Sequence, residues 1–116
     1  SIKTAYQSAP FFDYYGMEVE ELIFSDKNNF LKYNLNITER ILKWLDIETV
    51  LITTAAFSPV IKNDPRVLFA HKKKDQDFLP SPYTQVFPSE HSFTKNLSIL
   101  DAIMCEGPLA RKLLLP

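Results

Sequence analysis

The sequence predicts a mainly α-helical domain with one or two short strands and a long irregular, proline-rich segment; an α+β fold is the alternative. Three observations favour this fold. Apolar residues recur at helical spacing between residues 29 and 45, a helix start and a helix stop flank residues 98–107, and five of the eight prolines fall between residues 58 and 92. The 116 residues are enough for one domain with its own core.

The composition excludes several classes of protein. Hydrophobic residues make up 46% and charged residues 23%, which is typical of a soluble globular chain. No apolar run reaches the roughly 20 residues that span a bilayer, and the first residues do not resemble an export signal. We therefore expect no transmembrane segment and a cytoplasmic location. The net charge of −1, with no segment basic enough to form the electrostatic footprint of a nucleic-acid-binding protein, argues against a nucleic-acid partner.

The N-terminal part of the chain predicts two helical stretches. Pro10 suits the first position of a short helix through Tyr15, because its missing N–H is not needed there. Gly16 is expected to interrupt this helix, which resumes over Met17–Phe24. The acidic residues of the second stretch are expected on its solvated outer face (Glu18, Glu20 and Glu21).

The strongest periodicity predicts one long helix over residues 29–45, with apolar residues at spacings of three and four. The period then changes, and Glu48–Thr54 is rich in β-branched residues, which predicts a strand. A strand needs a partner for its backbone hydrogen bonds. The candidates are Arg66–Ala70 or a sheet outside this sequence.

The stretch NLSILDAIMCEGP predicts a helix with its own start and stop. Ser98 can accept a first-turn N–H, and Asp101 three residues later makes the pair close to a capping box. Gly107 supplies a left-handed stop, and Pro108 begins a second short helix.

Cys105, the single cysteine, lies in the last turn of this apolar helix and is expected to be a buried structural thiol rather than a nucleophile. His71 and His91 are twenty residues apart and match no metal-ligand spacing, so no metal is expected. The chain has two glycines and no glycine-rich phosphate loop, which argues against a bound nucleotide cofactor. The sequence identifies no catalytic residues.

The irregular segment holds the candidate binding residues, in DPRVLFAHKKK and PYTQVF. Arg66 can clamp a carboxylate or phosphate through its planar fork, Asp64 can orient it, and Lys72 can add a point charge. Tyr83 and Gln85 alternate along an extended stretch and are expected to face the same side. The alternative is a surface loop with an exposed lysine run.

Several motifs together resemble the WbqC-like proteins of bacterial polysaccharide gene clusters. The matching stretches are YQSAPFFDYY, NLNITERILKWL, DPRVLFAHKK, SPYTQVF and, as the most specific, FTKNLSILDAIMCEGP. The resemblance implies that residues 1–116 are a single domain, corresponding to the C-terminal part of a protein of roughly twice this length. It also implies a missing N-terminal half that supplies strands for Glu48–Thr54 to join.

The resemblance also implies a role in O-antigen or related surface-polysaccharide biosynthesis, as a transferase of an amino acid such as glycine or of a related group. In this hypothesis Arg66 and Lys72 hold an anionic sugar nucleotide or acyl donor. The alternative is a non-catalytic helical module whose contact surface is the aromatic cluster near the N-terminus (Phe11, Phe12, Tyr14 and Tyr15). The sequence also allows the protein to be an oligomer.

Overall fold

The computed structural model of the protein describes residues 1–25, 27–59, 81–87, 93–95 and 97–114. Its helices are α1 (Ile2–Tyr6), α2 (Phe12–Phe24), α3 (Phe30–Trp44), α4 (Ile99–Glu106) and α5 (Arg111–Leu114), with a 3-10 turn over Gly107–Ala110. No strand occurs within those described ranges. The prediction of a mainly helical fold is confirmed.

Helix α2 runs through Gly16 without a break, so the predicted interruption is wrong. A glycine keeps its backbone N–H, and in a helix interior it costs only about 0.5–1 kcal/mol relative to alanine. A Cβ at this position would lie 3.0 Å from the ring of Phe12, so the glycine leaves room for that ring. Pro10 lies in the turn before the helix, and the N–H of Phe11 donates to the Met104 carbonyl of α4 at 3.0 Å.

Helix α3 confirms the predicted long amphipathic helix. Asn29 begins it by accepting a hydrogen bond from the Lys32 N–H at 2.9 Å. Asp46 follows its end with a left-handed φ of 53°, and Arg111 Nη1 donates to the Asp46 carbonyl at 2.7 Å. The C-terminal half of α3 packs on the core through Ile41 and Trp44.

The predicted strand over Glu48–Thr54 is wrong for this structure, because these residues adopt neither helix nor strand. Val50 is 87% exposed and Ile52 is 84% exposed. β-branched residues favour a strand only where a neighbouring strand completes the hydrogen bonds, and the described residues supply none. The candidate partner Arg66–Ala70 lies outside the described residues.

Helix α4 is the centre of the core. Ser98 accepts the N–H of Leu100 at 3.3 Å, and Gly107, with φ 57°, ends the helix, so the predicted start and stop are confirmed. Ile103 and Met104 are almost completely buried, and they share one apolar cluster with residues of α2 and of the turns next to α2 and α3 (Tyr15, Val19, Ala9 and Leu45). Asp101 does not act as the predicted capping partner, because its side chain faces the interior.

Candidate functional site around Asp101

Tyr83 and Gln85 meet at one buried carboxylate. The Tyr83 hydroxyl donates to Asp101 Oδ2 at 2.6 Å, and Gln85 Nε2 lies 3.5 Å from the same oxygen. Both side chains therefore face the same side of their segment, as the alternating pattern predicts. The other three predicted binding residues, Asp64, Arg66 and Lys72, lie outside the described residues.

Asp101 occupies the first turn of α4 and is 0% exposed. A buried carboxylate loses its hydration and needs hydrogen-bond donors from the protein. Tyr83 supplies the short bond to Oδ2, whereas Oδ1 has no donor among the described residues. The Tyr83 hydroxyl is thus the principal described partner of this carboxylate.

Gln85 joins two irregular segments to each other. Its Nε2 donates to the Thr94 carbonyl at 2.9 Å, and its Oε1 accepts the Thr94 N–H at 2.9 Å. This pair of bonds reproduces the pattern of two paired strands with a side-chain amide in place of one backbone. The Tyr83 ring packs edge-on against Phe93 with centroids 5.1 Å apart. Hydrogen bonds and ring packing therefore join residues 81–87 to residues 93–95, and the bond from Tyr83 to Asp101 joins them to α4.

Tyr6 closes the cluster from the N-terminal side. Its ring contacts Phe87 edge-on with centroids 5.6 Å apart. Burial, followed by the negative charge of Asp101, raises the pKa of Tyr6 to about 12. Burial and the hydrogen bond to Asp101 likewise raise the pKa of Tyr83. Both phenols keep their protons at neutral pH, so they can act as hydrogen-bond donors.

Cys105 lies one turn after Asp101 in α4 and is buried, which confirms the prediction of a structural thiol. Burial is the largest cause of its raised pKa, and the charge of Asp101 adds to it. A thiol that stays protonated is a poor nucleophile. His71 and His91 lie outside the described residues, and the described part of the chain contains no group of three side chains able to hold a metal.

A second polar cluster joins α2 to α3. Glu18 forms an ion pair with Arg40 and accepts a hydrogen bond from Trp44 Nε1 at 3.1 Å. The hydrogen bond from Arg40, then the one from Trp44, lowers the pKa of Glu18. The expected solvated acidic face is correct for Glu20 and Glu21, which are exposed, but wrong for Glu18. This cluster holds two helices together and explains why Glu18 is half-buried.

The aromatic cluster near the N-terminus is mostly core. Tyr15 is 3% exposed and packs on Trp44, with centroids 5.3 Å apart. Phe11 and Phe12 also pack against the core, whereas Tyr14 is 74% exposed. Only Tyr14 of this cluster therefore remains freely available to a partner.

The sequence did not identify Asp101 as the centre of the cluster. Its position predicted a capping role, and it also belongs to the motif that carries the family resemblance. One signal was present in the sequence: the four residues that follow Asp101, Ala102 to Cys105, are all apolar, which indicates a helix without a wide solvated face. A carboxylate in such a helix needs an interior donor.

A model of the WbqC-like protein family matches residues 1–78. The chain belongs to the WbqC-like protein family. The match includes Asp64, Arg66 and Lys72, but it does not extend to Tyr83 or Gln85. It also ends before Phe93–Pro108, the stretch that carries the resemblance most specifically. The matched part is N-terminal in this chain, so correspondence to the C-terminal part of a longer WbqC-like protein remains a prediction.

No curated protein and no solved structure matches this WbqC-like chain. Each helix in the described part of the chain is too short or too polar to cross a membrane.

Proposed function

We propose that this WbqC-like protein acts in bacterial surface-polysaccharide biosynthesis as a transferase of an aminoacyl or related group. The observation that supports the proposal most is the family match over residues 1–78, which contains Asp64, Arg66 and Lys72 in one short stretch. A guanidinium and an ammonium near each other in sequence suit an anionic donor such as a sugar nucleotide or an acyl phosphate.

In this proposal Asp101 has a positioning role. Its contacts with Tyr83 and Gln85 fix the segment that follows the cationic stretch in the chain. Gln85 uses its amide on Thr94, while exposed Thr84 of the same segment is available to a sugar. Rigid support of this kind is what a binding site needs to hold its ligand in one geometry.

The experiment is a thermal-shift screen of the protein with sugar nucleotides and aminoacyl donors. Arg66→Gln and Lys72→Gln are expected to abolish the shift that a bound donor causes, because each removes a cation that pairs with the donor's anionic group. Lys32→Gln, an exposed change on α3, is the matched control and is expected to leave the shift unchanged. A shift that survives both charge-removing changes would contradict the assignment of the donor site.

The exposed ring of Tyr14 supports a second candidate function, a non-catalytic module that contacts a partner through α2. Exposed Met17 lies one turn from Tyr14 on the same side of this helix. The same screen separates the two functions, because a module predicts that no donor produces a shift. The module also predicts that Tyr14→Ser removes partner binding without changing the midpoint of unfolding.

A further inference from the structure

Residues 48–54 are the most strand-like part of the sequence, yet no strand pairs with them among the residues that the structure describes. Five of the seven side chains are β-branched (Thr49, Val50, Ile52, Thr53 and Thr54). Within the described part of the chain, these residues make no hydrogen bond, side chain or backbone. Val50 and Ile52 are both more than four-fifths exposed. An edge with bare N–H and C=O groups is a template for another strand.

The segment also borders a groove at the end of α3. The groove has a volume of about 490 Å³, and its lining combines apolar side chains with charged ones (Leu42, Ile47, Val50 and Leu51 with Glu39, Lys43, Asp46 and Glu48). Leu51 is half-buried here, whereas its neighbours are exposed. Two strands alone are only marginally stable in water, but packing against a helix can stabilise them. The end of α3 offers that support.

We propose that two copies of the chain associate through this segment, as an antiparallel pair of strands related by a two-fold axis at Leu51. In this register Val50 of one copy faces Ile52 of the second copy, and Thr49 faces Thr53. Pairs of β-branched side chains are favourable across a ladder. Residues 49–54 carry no charge, so the self-pairing brings no like charges opposite each other.

The two-fold symmetry explains why a second copy fits better than an arbitrary partner. An isologous contact requires a surface that is complementary to itself. The Thr-Val-Leu-Ile-Thr run reads almost the same in both directions, so its antiparallel pairing satisfies this condition. Each copy also brings its own α3 groove, and the resulting ribbon packs on two helix ends rather than one.

The first test compares two double variants by sedimentation equilibrium over a range of protein concentrations. In an antiparallel pair, hydrogen-bonded and non-hydrogen-bonded residue pairs alternate, so either Ile52 or Thr53 donates its N–H to the second copy. Ile52→Pro combined with Thr53→Pro removes the donor in both cases, and the association constant is expected to fall at least tenfold. Ala55→Pro with Ala56→Pro is the matched control, because these exposed residues lie just beyond the segment. Both double variants should keep the parent's circular dichroism, since no helix includes the changed residues. A parent chain that stays monomeric at every concentration overturns the proposal.

The second test determines the register through oxidation of introduced cysteines. Leu51→Cys places the two thiols opposite each other at the axis, where a disulfide can form. Val50→Cys places them on a diagonal about 7–8 Å apart, beyond the reach of a disulfide. The native Cys105 is buried. Linked dimer is expected for Leu51→Cys only. Random collision predicts more linked dimer for Val50→Cys than for Leu51→Cys, because residue 50 is the more exposed of the two. Equal or greater linkage through Val50→Cys therefore overturns the proposed two-fold axis at Leu51.

Discussion

The hydroxyl of Tyr83 can be removed with almost no change of shape by Tyr83→Phe. In the parent protein this hydroxyl donates to Asp101 Oδ2 at 2.6 Å, and the ring contacts Phe93. The substitution keeps the ring and its packing, so the free energy of unfolding changes mainly through the carboxylate. That makes the change a direct measure of what the buried hydrogen bond contributes.

The expected cost follows from the surroundings of Asp101. A hydrogen bond to a charged group contributes about 1.5–3 kcal/mol, and loss of one partner leaves the other desolvated. Asp101 is 0% exposed, so solvent has no direct access to the freed oxygen. Gln85 Nε2 at 3.5 Å is at the outer limit of a hydrogen bond and replaces little of the loss. We expect Tyr83→Phe to lower the free energy of unfolding by about 2 kcal/mol.

Urea unfolding, followed by circular dichroism, measures this loss. For a chain of this length it corresponds to a fall of roughly 8 °C in the melting temperature. Tyr14→Phe is the matched control: it makes the same chemical change on a side chain that is 74% exposed, and we expect a change within about 0.5 kcal/mol. Equal stability of the two variants would show that the Tyr83 hydroxyl does not stabilise Asp101.

Three further predictions concern other parts of the same core. Gly107→Ala should destabilise the fold by at least about 2 kcal/mol in urea unfolding, because φ is 57° and the added Cβ would lie 2.5 Å from the Phe11 ring. Gly16→Ala, in regular helix, should cost far less, and equal costs would contradict the backbone argument. The free energy of unfolding should fall as pH rises from about 10 to about 12, since unfolded tyrosine ionises near pH 10 and folded Tyr6 keeps its proton until about 12. Tyr6→Phe should reduce that fall, and an unchanged pH profile would count against the raised pKa. Cys105 should react with a thiol reagent only as fast as the chain opens; rapid labelling of the native protein would show that it is not buried.

The two helices with the clearest signals in the sequence are those that the structure confirms most closely. Helix α3 has an apolar stripe several turns long, and α4 has a serine before it and a left-handed glycine after it. These signals are local, because side chains within a few positions decide them. Sequence could therefore predict both helices with small errors at their ends.

The strand and the helix break failed for different physical reasons. Strand formation at Glu48–Thr54 depends on a partner strand, which the segment's own residues do not specify. The break at Gly16 was expected from propensity, but the energetic cost of one glycine is small beside the packing of Tyr15 and Val19 on the core. Tertiary contacts outweighed local preference at Gly16, whereas at Glu48–Thr54 no partner strand is present among the described residues.

The candidate site could be predicted only in part. The alternation of Tyr83 and Gln85 placed both side chains on one side, which the structure confirms. Their shared partner lies 16 to 18 residues further along the chain, and no local pattern connects the two positions. Long-range pairing of polar groups depends on how the helices pack, so the role of Asp101 became evident only from the structure.

We infer that Asp101 and Tyr83 stabilise the fold chiefly through the hydrogen bond between them. A double-mutant cycle with Tyr83→Phe and Asp101→Leu tests it most directly, because leucine has a similar shape and accepts no hydrogen bond. We predict a coupling free energy of about 1.5–3 kcal/mol in urea unfolding, with Tyr83→Phe nearly neutral once Asp101 has been replaced. Additive costs, with a coupling below about 0.3 kcal/mol, would show that the two side chains stabilise the fold independently of each other.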